Sequence, residues 1–314
     1  MMDYTENFFE SIEQRNAEFN SLYYGADYLR GLQVNNLLRV VKKLDFSFLM
    51  DAVRLKIANK KMSRYQKKRK TGGTVHKIST YQSYQRLKDK KIVIYTCIVG
   101  GYDGLKEPLL LFDNVEYICF TEDAASIRMA EHTKWTICQI PAAIAKKYDR
   151  TFSNRYIKMH PKELFPDADY AVYVDGNIGI QSFLGAYLIQ TKAKTGVAIF
   201  SHSQRQCVYV EAKVCISRRK GRREAIEQQM QDYEKAGFPK NYGLYECTII
   251  ATDLSNTLSA ELMEKWWQEF IRSKSCRDQL SLPYVMWKSG LKYTDIGLIG
   301  EKIFDDCRVT VYSH

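Results

Sequence analysis

The run Ile92-Val-Ile-Tyr-Thr-Cys-Ile-Val99 constrains the fold of this 314-residue chain more than any other stretch. It is continuously apolar and rich in β-branched and aromatic residues, with no alternation of polarity. It therefore predicts a central parallel strand covered on both faces, which needs helices on both sides of the sheet. Gly100-Gly101-Tyr102-Asp103-Gly104 follows at once. Such a loop lets a nucleotide approach the backbone closely. It has neither the G-x-G-x-x-G spacing nor a Walker lysine, so NAD and P-loop ATP binding find no support.

A second stretch, Asp167 to Ile180, organises the candidate chemistry. Ala171 to Val174 form a short apolar strand, and Asp175, Gly176 and Asn177 follow directly. A carboxylate and an amide oxygen, one residue apart, then stand at a strand's carboxyl end, with Gly176 permitting the turn. Hard divalent cations take such oxygen ligands together with substrate phosphates. The sharper expectation is a metal–diphosphate site formed by Asp175 and Asn177, where α/β sheets usually bind ligands. The plainer one is an Asp-Gly-Asn turn.

Further strands are expected at 115–120, 134–140, 196–201 and 244–251, separated by helical patterns. This alternation predicts an α/β fold with a largely parallel sheet. Arg155 and Lys158, three residues apart, share one face if 149–166 is helical; they either reach the same diphosphate or are the exposed cations of an ordinary amphipathic helix. His202 lies just past a strand end, with Arg205 and Glu211 close behind. One basic helix is expected from there to Gly237. Glu246 opens the next strand. Leu258, Leu262, Trp266 and Phe270 make the apolar face of a core helix. Arg277-Asp278-Gln279 is a polar group opening another helix, and Asp123 is a strand-end acid suited to a base or ribose hydroxyl or, equally, to a plain turn.

The net charge of +11 is concentrated: residues 51–90 hold 13 Lys/Arg against 2 Asp/Glu. The dense part, residues 51–70, is either a solvated helix face or a reversible tether to anionic lipid. It has no aromatic platform for stacking bases, so nucleic acid is not an expected partner. Residues 1–50 read as helical and are expected to pack on the main domain or on each other, with a partner-binding or dimer-forming face as the lesser alternative. No apolar run approaches the ~18 residues needed to span a bilayer, and the acidic N-terminus lacks a secretory h-region. The 8 scattered cysteines form no Cys-x-x-Cys pair, which argues for reduced thiols and a cytoplasmic protein. If 51–70 binds lipid, the protein would sit peripherally at the inner leaflet.

Several of these segments together resemble a known family. They are Gly100-Gly-Tyr-Asp103, Cys119-Phe-Thr-Glu-Asp123, Arg155-x-x-Lys158, Tyr173-Val-Asp-Gly-Asn-Ile178, His202-x-x-Arg205 with Glu211, and Arg277-Asp-Gln-Leu-Ser281. The chain is similar over roughly residues 91–290 to the TOD/MUCI-type glycosyltransferase-like domain family, long catalogued as a domain of unknown function. The resemblance implies a GT-A-like (Rossmann-like) domain over residues 89–314, after a helical, basic extension over 1–88. It implies sugar transfer from a nucleotide-diphosphate sugar, most simply a UDP-sugar, to a glycan or lipid-linked acceptor in surface polysaccharide synthesis, assisted by Mn²⁺ or Mg²⁺. The family's Asp-x-Asp motif is Asp-Gly-Asn here, so one metal ligand is neutral. Catalytic roles would fall among Asp278, Glu211, Glu246 and His202. Donor binding would fall to Thr96, Gly101, Tyr102, Asp103, Asp123, Arg155, Lys158, Asp175, Gly176, Asn177, Arg205 and Gln279. A metal-dependent phosphoryl-transfer enzyme and a non-catalytic, membrane-associated scaffold are the rival readings.

Overall fold

Every residue of the first strand, β1 (Ile92–Ile98), is buried, as its unbroken apolar run requires. The computed structural model describes residues 4–33, 79–122, 133–191 and 194–313. Asp123, the polybasic segment 51–70 and the helical expectation beyond Gln33 lie outside the described residues.

Around β1 the chain lays down β2 (Val115–Thr121), β3 (Thr136–Gln139), β4 (Tyr170–Val174), β5 (Ile178–Ile180), β6 (Val197–Ser201), β7 (Tyr245–Asp253), β8 (Gly297–Leu298) and β9 (Val309–Val311). Seven of these form one sheet in the order β3-β2-β1-β4-β7-β6-β8. β1, β2, β3 and β4 pair in parallel, as do β6 and β8. β7 runs antiparallel to both of its neighbours, β4 and β6. The sheet is therefore mixed and mostly parallel. The reversed strand matters, because it brings its own amino end to the edge where β1, β4 and β6 end.

Side chains alternate across the sheet, with period two. Ile92, Ile94, Ile98, Val172 and Val174 enter one hydrophobic layer. Val93, Tyr95, Cys97, Ala171 and Tyr173 enter the other. The helices that cover these layers are α1 (Glu6–Gln33), α2 (Thr80–Leu87), α3 (Ala142–Lys147), α4 (Arg150–Met159), α5 (Pro161–Leu164), α6 (Gly185–Ile189), α7 (Val208–Ser217), α8 (Arg223–Lys235), α9 (Thr257–Ser273) and α10 (Asp278–Lys288). α9 supplies Leu262, Met263, Trp266, Trp267 and Phe270 to the second layer. The two tryptophans are core, as their helical spacing predicts. α1 and α2 close the first layer with Phe9 and Leu87.

The stretch expected to be one basic helix from His202 to Gly237 is two. α7 ends at Ser217 and α8 starts at Arg223. Between them Arg219 and Gly221 take positive φ, 55° and 85°. A Cβ on Gly221 would lie 2.5 Å from the Ser275 carbonyl oxygen, so only glycine fits there. The continuous basic composition hid this break.

After the Asp175-Gly-Asn177 turn, β5 pairs antiparallel with β9 in a small separate sheet. α1 is tied to that sheet by polar side chains. Asn16 Nδ2 donates to the Gln181 carbonyl at 3.2 Å, and Asn20 Nδ2 donates to that of Val309 at 2.8 Å. The Thr310 hydroxyl donates to Asn20 Oδ1. The first helix thus braces the strand leaving the candidate site. Asn20→Ala would strand these buried groups and should cost about 1–3 kcal/mol, read as a lower denaturation midpoint in urea. An unchanged midpoint would remove this bracing role.

Candidate active site

A cleft of about 950 Å³ opens along the edge where β1, β4 and β6 end and β7 begins. Its floor is an ion cluster. Arg155 and Lys158 project from one face of α4, whose N-terminus is capped by the Asp149 side chain. Both meet Asp278, in the first turn of α10. Lys158 Nζ lies 2.7 Å, and Arg155 Nε 3.1 Å, from Asp278 Oδ2. The other carboxylate oxygen accepts from the Gln279 backbone N–H at 3.0 Å, and Gln279 Nε2 donates to the Tyr245 carbonyl at 2.7 Å. Lys158 also reaches Asp175 Oδ1 at 3.6 Å and sits 4.9 Å over the Tyr173 ring.

Lys158 and Asp278 are almost wholly buried. Burial by itself would push the Asp278 pKa up. Arg155, Lys158 and Arg277 outweigh it and hold the carboxyl well below the usual range. Asp278 is therefore a fixed anion at neutral pH. In turn, burial would lower the Arg155 pKa, but Asp278 keeps it above its ordinary value.

Asp175 caps β4 with a side chain about one third exposed. A Cβ on Gly176 would lie 3.0 Å from Asp103 Cβ and 3.1 Å from Asp103 Oδ2. The glycine thus makes the cradle that lets the Asp103 carboxylate close over the turn. Asn177 Nδ2 donates to the Tyr312 carbonyl at 2.9 Å, so it enters any metal site through its oxygen. Asp103, Asp175 and Asn177 all line the cleft. Two carboxylates and an amide offer the oxygen types that a hard divalent cation takes. Among the described residues no group of three or more His, Cys, Asp or Glu gathers at metal-binding distance.

A second cluster lies at the β6–β7 side. His202 Nδ1 accepts the backbone N–H groups of Gln204 and Arg205, each at 3.1 Å. Its Nε2 lies 3.2 Å from Arg205 Nη2, a group that can only donate, and 3.7 Å from Glu211 and 3.9 Å from Glu246. Burial and the neighbouring Arg205 push the His202 pKa down to about 3, so the ring is neutral at neutral pH. Glu211 is held by an ion pair from Arg205 Nε. Glu246 accepts the Thr248 hydroxyl at 3.2 Å and forms no ion pair with a described Lys or Arg. Burial raises its pKa, and Glu211 and Asp175 add to that.

The cleft thus gathers Tyr102, Asp103, Arg155, Lys158, Asp175, Gly176, Asn177, His202, Arg205, Glu211, Glu246, Asp278 and Gln279. Two expected donor groups fall outside its lining. Thr96 is inside the sheet, 1% exposed, with no hydrogen-bond partner for its hydroxyl among the described residues. Gly101 stands at φ +62° with open space around it, while its neighbour Gly100 lines the cleft. Residues overlooked in the sequence also line it: Arg218, Arg219 and Lys220 in the break between α7 and α8, and Arg277 before α10. Gly221, inside a charge run, was the available signal for that break.

A family model described as TOD1/MUCI70, glycosyltransferase-like domain, matches residues 47–312, a wider span than the motif-bearing 91–290. No curated protein matches the chain significantly. Among solved structures, the apo form of mouse xyloside xylosyltransferase 1 is similar at 11% identity, covering 66% of this chain and 83% of that one, with a TM-score of 0.38.

Asp278→Ala would leave Lys158 and Arg155 as buried charges without their carboxylate. It should cost about 3–5 kcal/mol, measured by chemical denaturation. A variant as stable as the wild type would mean that the cluster adds nothing to the fold.

Proposed function

Since the chain belongs to the TOD1/MUCI70 glycosyltransferase-like domain family, we propose that it transfers a sugar, with inversion, from a nucleotide-diphosphate sugar to a hydroxyl of a glycan or lipid-linked acceptor. The observation that carries this reading is the meeting, in one cleft, of the Asp175-Gly-Asn177 turn, a cation-rich floor and Glu246, a carboxylate that forms no ion pair with a described Lys or Arg.

The roles follow from what each group is already bonded to. Glu211 is occupied by Arg205, and Asp278 by Lys158 and Arg155. Neither is available to move a proton. Glu246 is the acid with a raised pKa, the tuning a general base near neutral pH needs. Its carboxylate takes the proton of the acceptor hydroxyl as that oxygen attacks the anomeric carbon. The bond from that carbon to the diphosphate oxygen breaks, and the diphosphate leaves with the electron pair. His202, neutral and 3.2 Å from Arg205 Nη2, helps to hold Arg205 against Glu211 on the same side of the cleft as Glu246. Lys158 and Arg155 act through Asp278 and Asp175, holding the turn in register. Asp175, Asp103 and the Asn177 oxygen are the groups that would hold Mg²⁺ or Mn²⁺, whose charge offsets that of the departing diphosphate.

Rival reactions give different products. Phosphoryl transfer would release inorganic phosphate, and a scaffold would bind no nucleotide sugar. Thermal-shift screening of UDP-, GDP- and CMP-sugars, with and without Mn²⁺, identifies the donor. With that donor, Glu246→Gln should lower kcat by about 10²–10⁴ and leave donor binding intact. NMR of the first-formed product should show the anomeric configuration inverted. The wild-type rate should fall below an apparent pKa that lies above the ordinary glutamate value of about 4.3, since the base must be ionised to act. Wild-type turnover by Glu246→Gln, or a retained configuration, would refute the assignment.

A further inference from the structure

Charge accounting at the floor leaves a gap that the rim fills. Arg155 and Lys158, the cations that sequence spacing assigns to a diphosphate, are already bound to Asp278. Asp175 draws further on Lys158. Both carboxylates line the cleft, and a diphosphate placed against them needs positive charge from elsewhere.

That charge stands at one side of the same cleft, on two loops. One is the break between α7 and α8, carrying Arg218, Arg219 and Lys220, all exposed and all lining the cleft. The other is the segment 274–277 that leads into α10 and ends in Arg277. The loops are seamed together: the Arg222 N–H donates to the Ser275 carbonyl at 3.2 Å, and Gly221 lies tight against that carbonyl and the Arg277 side chain. Arg219, Lys274 and Cys276 hold positive φ, at 55°, 53° and 60°, so most of the non-glycine backbone strain among the described residues gathers at this seam. Arg218 and Lys220 form no ion pair with a described residue. Arg277 is largely enclosed, beside Cys215, Asp278, Arg155 and Glu211, and its buried Nε has no hydrogen-bond partner among the described residues. A buried donor left unmade is costly. Planar guanidinium forks suit phosphate oxygens.

We propose that Arg277, with Arg218 and Lys220, is the clamp for the donor's diphosphate, facing the Asp175 turn across the cleft. The clamp rests on the proposed nucleotide-sugar reaction for its biological ligand, but its chemistry needs only two linked phosphates. Inorganic pyrophosphate is therefore the probe, titrated calorimetrically into the full chain in EDTA so that no metal on Asp175 contributes. The wild type should bind. Arg218→Ala/Lys220→Ala, on an exposed loop, should weaken binding by about a hundredfold, taking tenfold (~1.4 kcal/mol) for each lost charge. Arg277→Lys keeps the charge but loses the planar fork, and should weaken binding about tenfold. The exposed Lys235→Ala, on α8 outside the cleft, controls for net charge and should bind as the wild type does. Absence of wild-type binding, or affinity unchanged in both clamp variants, would overturn the clamp. If pyrophosphate binds through these residues while no nucleotide sugar does, the clamp stands and the glycosyl-transfer reading falls.

Discussion

Two cations three residues apart on α4 meet one carboxylate at the start of α10, beneath the floor of the cleft. Burying three charges is expensive, and their mutual attraction repays the desolvation only when the geometry is good and the remaining lone pairs are bonded. Here Asp278 receives the Gln279 N–H on its other oxygen, and the Tyr95 hydroxyl donates to the Lys158 carbonyl at 2.9 Å. The cluster therefore fixes α4, α10 and β1 against one another. Its reach to Asp175 places the turn after β4 in the same rigid unit. Everything proposed about the cleft depends on that floor not moving.

The reversed strand β7 is the second constraint. Tyr245 and Glu246 pair with Ser201 and Phe200, at the carboxyl end of β6, across a register shift in the ladder. Irregular pairing of this kind commonly re-aims a side chain beside a functional site. The Asp175 N–H donates to the Thr248 carbonyl at 2.9 Å. Glu246 thus stands two residues from a direct backbone link to the turn. A parallel strand in this place would have carried Glu246 to the opposite edge of the sheet, away from His202 and Asp175.

Much of this was legible in the sequence, for physical reasons. Ile92–Val99 could only be an interior strand, and Asp175 had to follow its strand directly. The spacing of Arg155 and Lys158 put them on one helical face. Their partner was not legible, because Asp278 lies more than a hundred residues away and no local pattern encodes an ion pair at that range. The direction of β7 was hidden because a strand covered on both faces looks the same in either orientation. The α7–α8 break was masked by unbroken basic composition, although Gly221 marked it. Thr96 was misleading as a donor ligand: its place in an apolar strand predicts the burial it has. Choosing among Glu211, Glu246 and Asp278 needed the ion pairs that only the folded chain displays.

A crystal structure of the protein with its nucleotide-sugar donor tests the whole account at once. The diphosphate should lie between the Asp175 turn and the Arg277 loop, with phosphate oxygens within about 3 Å of guanidinium nitrogens. The anomeric carbon should face the Glu246 side of the cleft, with the Lys158–Asp278–Arg155 cluster unchanged beneath it. A donor bound with its anomeric carbon turned away from Glu246, or with the ion cluster taken apart to hold the phosphates, would contradict it.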